Sequence, residues 1–296
     1  MQFIVVTRGL WRAMRPRQWT KNAFVFAALV FDNKLFTAHY LLDTVLGFAI
    51  FCFLSSAVYL INDVADAPAD RSHPTKRNRP IARGDVSPAF ALVFAGVLVL
   101  IASSAAFVLD VDFGWIGLGY FALMVAYTFR LKHVVILDVL VIAAGFVLRV
   151  AGGAVLVDAV RFSPWMYVCM MLLSLLLGFG KRRQEIVELN GRNSTRAILN
   201  EYNRPLLDQI IGIVTAATIV SYALYTFSAP QLPRNHTMML TIPFVLYGLF
   251  RYLYLVHVRG EGGAPDELVL ADRPMQAALG LWALAVMLVL YVLPPE

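Results

Sequence analysis

Residues 41–61 read LLDTVLGFAIFCFLSSAVYLI and continue without a break into NDVADAPADR at 62–71. The first stretch holds one charged residue, Asp43. It is long enough to cross a hydrocarbon core, which takes about 20 residues as a helix. A barrel strand would instead alternate apolar and polar positions over about ten residues. No such alternation is present. The second stretch gathers Asn62, Asp63, Asp66 and Asp70 at the end of the span. One helix is therefore expected to carry both a membrane crossing and the richest acidic segment of the chain.

Eight further apolar blocks extend the reading, at roughly 22–39, 87–109, 113–130, 134–157, 164–180, 206–228, 238–257 and 275–293. The fold class is therefore all-α: a polytopic membrane protein with nine transmembrane helices and a single integral membrane domain over 1–296. Asp32, Asn33 and Lys34 interrupt the first block. Hydrophobic residues make up 59% of the 296 positions, charged residues 15%, and mean hydropathy is +0.69. A water-soluble domain this apolar could not cover its own surface. Met1–Gly9 lacks a cleavage site after an apolar run, so no cleaved signal peptide is expected.

Lysine and arginine placement sets the orientation. Arg8, Arg12, Arg15, Arg17 and Lys21 precede the first span. Arg71, Lys76, Arg77, Arg79 and Arg83 follow the second, and Arg130 and Lys132 the fourth. Lys181, Arg182, Arg183, Arg192, Arg196 and Arg204 follow the sixth, with Arg251, Arg259 and Arg273 flanking the last two. The other side holds Lys34, Arg161 and Arg234. The N-terminus is expected to be cytoplasmic, in a multi-pass membrane protein whose long polar loops, where a site is to be sought, face the cytoplasm. The net charge of +6 then reflects topology and anionic lipid headgroups rather than nucleic acid. Cys52 and Cys169 lie in apolar runs without metal-ligand spacing and read as small core residues.

The acidic segment carries chemistry. Asn62, Asp66 and Asp70 are spaced i, i+4, i+8, and Asp63, Asp66 and Asp70 i, i+3, i+7. If the helix continues past residue 61, all four share a face. Crowded carboxylates repel unless a cation sits among them. Hard oxygen donors favour Mg²⁺, which takes one or two carboxylates and completes its shell with water and substrate phosphates. Lys76, Arg77, Arg79 and Arg83 follow closely, so the segment points to a metal-bound diphosphate.

Asn62-Asp63-x-x-Asp66-x-x-x-Asp70, followed by His73-Pro74 and Arg79-Pro80-Ile81-Ala82-x-Gly84, resembles the first aspartate-rich motif of the UbiA prenyltransferase superfamily. The resemblance implies a nine-helix bundle, a Mg²⁺ cofactor and a prenyl substrate. It also implies a second aspartate-rich motif after the sixth helix. Here that stretch reads GFGKRRQEIVE at 178–188 and has no aspartate. Lys181, Arg182 and Arg183 occupy its start, with Glu185 and Glu188 behind. One side of the expected site can hold a metal; the other is suited to hold an anion directly.

This departure is similar to one branch of the superfamily, as are Arg15-Pro16-Arg17-Gln18-Trp19-Thr20-Lys21-Asn22 and Tyr127-Thr128-Phe129-Arg130-Leu131-Lys132 with Asp138 and Arg149 beyond. That branch moves 5-phosphoribose from phosphoribosyl diphosphate onto a polyprenyl monophosphate, decaprenyl phosphate, and releases pyrophosphate. The resemblance implies a place in supplying cell-wall arabinan precursors, and leaves room for a homo-oligomer. It assigns Asp63, Asp66 and Asp70 to catalysis, and these with Asn62 to the metal. Lys21, Lys76, Arg79, Tyr127, Lys132, Asp138, Arg149, Lys181, Arg182 and Glu185 are assigned to substrate binding.

Arg149 lies well inside the fifth span, where a charge costs about 2.5–3.5 kcal/mol on insertion scales, so it should face the interior. Asp138 is about 16 Å away along the axis and cannot be its direct partner. Two rival readings stand beside the transferase. The first is a UbiA-type enzyme joining a prenyl diphosphate to an aromatic acceptor, which the missing aspartates at 181–188 disfavour. The second is a transporter using Asp138 and Arg149, which would show inverted repeats or broken helices.

Overall fold

A computed structural model describes residues 2–159, 163–189, 197–261, 263, 268 and 271–293. Arg161, Arg192 and Arg196, used above for orientation, lie outside the described residues. Eight helices among the described residues are long and apolar enough to cross a membrane. The chain groups into two compact units that divide after Ala159, with Phe31–Asn33 grouping with the second.

The first unit opens with α1 (Gln2–Ala13), then a 3₁₀ run over Pro16–Val25 that passes into the short helix α2 (Phe26–Phe31). The apolar block at 22–39 is thus not one α-helix. The rod over 16–31 spans about 29 Å at the rises of the two helix types, and Asn33 then turns with a φ of 57°. The run at 41–61 becomes α3 (Ala38–Ser72), which continues through Pro68 so that the acidic residues sit on its last turns. A tight connection with the short helix α4 (Pro80–Arg83) follows. Then come α5 (Pro88–Leu109), α6 (Val111–Phe129) and α7 (Leu137–Leu156).

Without a hydrophobic drive between helices in lipid, close packing depends on small residues. Ala91, Ala95, Ala102 and Ala106 of α5 are fully buried in the two apolar clusters that α3 anchors, while Val93 and Leu100 on its other face are exposed. Phe51 and Leu54 of α3 fill the centre of the unit against Phe113 and Tyr120 of α6. In the second unit α8 (Pro164–Leu189) packs along α9 (Arg204–Ser228). There α10 (Ile242–Tyr254) ends in a π turn over Leu255–Arg259 and packs on α11 (Arg273–Met287).

Helix starts follow local chemistry. Ser87, Asp110, Asn203 and Asp272 each accept a hydrogen bond from the backbone N–H three residues on. Prolines 88, 205 and 274 stand in the first turns, where the missing N–H costs nothing. The Arg251 guanidinium beside Asp272 holds that carboxyl below the usual carboxylate range. Several threonine hydroxyls inside the spans are spent on their own helix: Thr128, Thr215 and Thr218 donate to the carbonyl four residues back. That removes otherwise costly donors from the apolar interior.

Candidate active site

The extension of α3 brings Asn62, Asp63, Asp66 and Asp70 onto one side of its last turns. Asp63 and Asp70 are buried, at 2% and 3% exposure. Arg79 Nη1 donates to Asp70 Oδ2 at 2.7 Å and to Asp63 Oδ1 at 3.2 Å. Arg15 also pairs with Asp63 while stacking 4.9 Å over the Tyr59 ring. Lys132 Nζ donates to Asp66 Oδ1 at 2.7 Å, and Asn62 Nδ2 to Asp66 Oδ2 at 3.0 Å. Three carboxylates therefore meet three cations.

The sequence assigns Asn62, Asp63, Asp66 and Asp70 to one metal; in the structure their side chains are engaged by cations and by one another. Among the described residues no three acidic, histidine or cysteine groups converge so as to hold a metal. The cations separate them into a buried pair bridged by Arg79 and a more open pair at Asn62 and Asp66. The Asp66 side chain keeps 33% exposure. The donors are still all oxygen, and Mg²⁺ needs only one or two carboxylates when phosphate and water complete its shell. The donor chemistry fits that ion, with Asp66 as the exposed carboxylate.

The connection after α3 is built to present Arg79. Pro80, Ile81 and Ala82 are buried, Ile81 in one cluster with Ala67, Leu60 and Met14, and Gly84 ends α4 at a φ of 90°. That left-handed cap favours glycine. His73 Nδ1 accepts from the backbone N–H groups of Thr75 and Lys76, which fixes the turn carrying half-buried Lys76. Lys132 sits in a short 3₁₀ turn, Leu131–His133, close behind Tyr127 on α6; Tyr127 packs against the core. Ile136 next to it holds a φ of 69°, strained for a β-branched residue. Asp138 begins α7 and is fully buried.

Arg149 is buried in the first unit and held by neutral groups. Its Nε donates to Asn22 Oδ1 at 2.7 Å, Nη1 to Gly145 O at 2.8 Å, and Nη2 to Tyr120 Oη at 2.8 Å. The guanidinium lies 4.6 Å over the Tyr120 ring and 5.2 Å over Phe146. Asn22 spends its amide on Ser55 and Cys52. Lys21, beside Asn22 in the 3₁₀ run, is half-buried.

In the second unit the end of α8 carries Lys181 exposed and Arg182 and Arg183 buried. Arg182 Nη1 donates to Glu185 Oε2 at 2.8 Å. Arg183 pairs with Asp208 of α9 and donates to Val256 O at 3.0 Å. His257 Nε2 reaches the same Asp208 at 3.2 Å.

A family model described as the UbiA prenyltransferase family matches residues 23–266, reaching from the 3₁₀ run past the end of α10. The chain belongs to the UbiA prenyltransferase family. It is 32% identical over 97% of its length to a Corynebacterium glutamicum protein named decaprenyl-phosphate phosphoribosyltransferase, of which it covers 88%. It is 33% identical to the Mycolicibacterium smegmatis protein of that name, with 93% and 90% of the two chains covered. The fold matches an Archaeoglobus fulgidus UbiA homologue solved with GPP and Mg²⁺, at a TM-score of 0.73 and 17% identity. That match covers 96% of this chain and 100% of the other. This UbiA-family chain is a multi-pass membrane transferase.

Sequence reasoning assigned no role to several residues that hold these side chains within each unit. Arg15, Asn22, Tyr120, Asp208 and His257 complete contacts across 25 to 127 positions of sequence. Arg15 and Asn22 fall inside the basic N-terminal motif, which was the available signal. His73 yields a pH prediction. Its pKa is lowered, first by desolvation and then by the Lys76 charge. A depressed folded value contributes stability that is complete above the unfolded value of about 6.5 and is lost as pH falls toward the folded one. Amide exchange at Thr75 and Lys76, corrected for intrinsic rates, should speed up between about pH 7.5 and about pH 5.5. His73→Ala should erase that dependence; pH-independent exchange in the parent protein would refute the role.

Proposed function

We propose that this chain transfers 5-phosphoribose from phosphoribosyl diphosphate to a polyprenyl monophosphate such as decaprenyl phosphate, releasing pyrophosphate. The observation that carries the reading is the pairing of Asp66 with Lys132 at the open edge of the α3 cluster. A carboxylate and an ammonium that neutralise each other in the free protein can part to meet, respectively, a metal ion and a phosphate oxygen. Asp66, with Asn62 beside it and Asp63 and Asp70 behind, would hold Mg²⁺. When bound, the ion neutralises charge building on the departing pyrophosphate. Arg79, Lys76 and Lys132 supply donors to the diphosphate oxygens. Lys181 and Arg182, where the superfamily motif has aspartates, bind a phosphate without a metal.

The lipid phosphate is an anionic nucleophile and requires no general base. Lys21, Tyr127, Asp138, Arg149 and Glu185 are assigned to substrate binding and its support. Arg149 brings a positive charge whose hydrogen-bond partners among the described residues are neutral, which leaves its charge available to an anion. The alternation of basic loops supports nine crossings, a cytoplasmic N-terminus and a site on the cytoplasmic face. The relatives' names support a phosphoribosyl group moving to a polyprenyl phosphate; supply of cell-wall precursors is part of the proposal.

The test uses purified protein in detergent with Mg²⁺, ribose-labelled phosphoribosyl diphosphate and polyprenyl phosphate. Label should move into the organic phase with one pyrophosphate released per transfer. Label that stays aqueous, with turnover of geranyl diphosphate and an aromatic acceptor instead, would replace this reading by the prenyl-transfer one.

A further inference from the structure

Of the buried side-chain polar groups without a hydrogen-bond partner among the described residues, one lies beside the cationic end of α8. Tyr252 of α10 is 4% exposed, and its hydroxyl is buried with no hydrogen-bond partner among the described residues. A phenol at such depth normally finds one. The hydroxyl lies over Gly180 of α8: a Cβ built on Gly180 would fall 2.1 Å from Tyr252 Oη and 3.1 Å from its Cζ. Glycine therefore makes the room that the hydroxyl occupies. Gly180 is also the residue immediately before Lys181-Arg182-Arg183. One turn further along both helices, Arg183 donates to Val256 O, which fixes the end of α8 against α10.

Two independent features thus meet at one point. An unspent donor is kept at a cost, and a side chain is omitted from the facing helix to admit it. Tyr225 also has a buried unpaired hydroxyl, but it sits on α9 about 26 Å along the axis from Asp208, far from the cationic turn.

We propose that Tyr252 is a substrate-binding residue whose hydroxyl donates a hydrogen bond to a phosphate oxygen held at the Lys181–Arg183 turn. The assignment rests on the reading of that turn as a phosphate site. An isolated phenol hydroxyl is unfavourable in an apolar surround, and a phosphate oxygen is the strongest acceptor that cations of this turn would bring to it. The neutral donor adds direction to a grip that Lys181 and Arg182 supply by charge.

The deciding variant is Tyr252→Phe, which keeps the ring and deletes the oxygen. Its thermal midpoint should equal or exceed that of the parent, because an unpaired buried group is lost. Its KM for polyprenyl phosphate or phosphoribosyl diphosphate should rise about tenfold to a hundredfold, the range for a hydrogen bond to a charged group. Gly180→Ala should reproduce the kinetic defect by displacing the hydroxyl. Unchanged kinetics in Tyr252→Phe would overturn the assignment, and so would a clear loss of stability, which would reveal a structural hydrogen bond instead. If the parent protein turns over neither substrate, the reading of the reaction fails separately. The assignment is then judged by pyrophosphate-induced thermal stabilisation, expected in the parent and weakened in Tyr252→Phe.

Discussion

Asp66→Asn should abolish transfer while leaving the protein folded. The substitution keeps shape and removes one negative charge, at a position a third exposed and paired with Lys132. Such a partly exposed pair contributes only about 0.2–1 kcal/mol to stability. The same charge, if it holds Mg²⁺ against a leaving diphosphate, is worth several kcal/mol in the barrier, and about 4 kcal/mol corresponds to roughly a thousandfold in rate. Asp63→Asn should behave differently. Its carboxylate is almost fully buried between Arg15 and Arg79, and its loss leaves two guanidinium groups without their shared partner. Breaking a buried pair costs about 3–5 kcal/mol in the limit, discounted here because both arginines are about a quarter exposed. Turnover and thermal midpoint measured side by side should therefore separate the two: activity alone lost at 66, activity and stability together at 63. Full turnover in Asp66→Asn would remove Asp66 from the chemistry.

Gly153→Ala should destabilise the first unit more than any other glycine-to-alanine change there. A Cβ on Gly153 would fall 1.9 Å from the carbonyl oxygen of Val25 and 2.8 Å from its carbon. Backbone cannot swing aside as a side chain can. It is also held one turn away, where Arg149 grips Asn22. The two contacts match because three residues of a 3₁₀ run and four of an α-helix both rise about 6 Å. Asn22 and Val25 therefore keep step with Arg149 and Gly153. Overpacking costs about 1–3 kcal/mol even where neighbours can yield. At Gly152 the Cβ would meet the rings of Phe51 and Phe113 at 3.0 Å, a milder clash. At Gly96 it would meet nothing within 4 Å, and alanine should gain about 1 kcal/mol of helix propensity. Thermal midpoints in detergent should fall in that order. Equal values for Gly153→Ala and Gly96→Ala would show that the 3₁₀ run does not lock α7.

The helical class, the membrane and the acid-bearing helix were legible along the chain. Long apolar runs leave helices as the structure that satisfies its own backbone in lipid, and regular spacing put Asn62, Asp63, Asp66 and Asp70 on one side. The break at Asp32–Lys34 was legible too, but not the 3₁₀ winding before it. Residues 16–31 form a rod whose helix type is chosen by what it packs on: Gly153 admits its backbone and Arg149 needs Asn22.

The sequence by itself determined which parts enter lipid, where charge collects, and that hard oxygen donors lie beside cations. Those properties are local, since hydropathy and periodicity are summed over neighbours along the chain. Only the tertiary structure decided how the charges are spent. Arg79 bridges Asp63 and Asp70, Lys132 takes Asp66 across 66 positions, and Arg149 finds neutral partners in Asn22, Gly145 and Tyr120. Pairing is a matter of a few ångströms in space, and a strong Coulomb or hydrogen-bond partner gained that way outweighs what spacing along one helix can forecast.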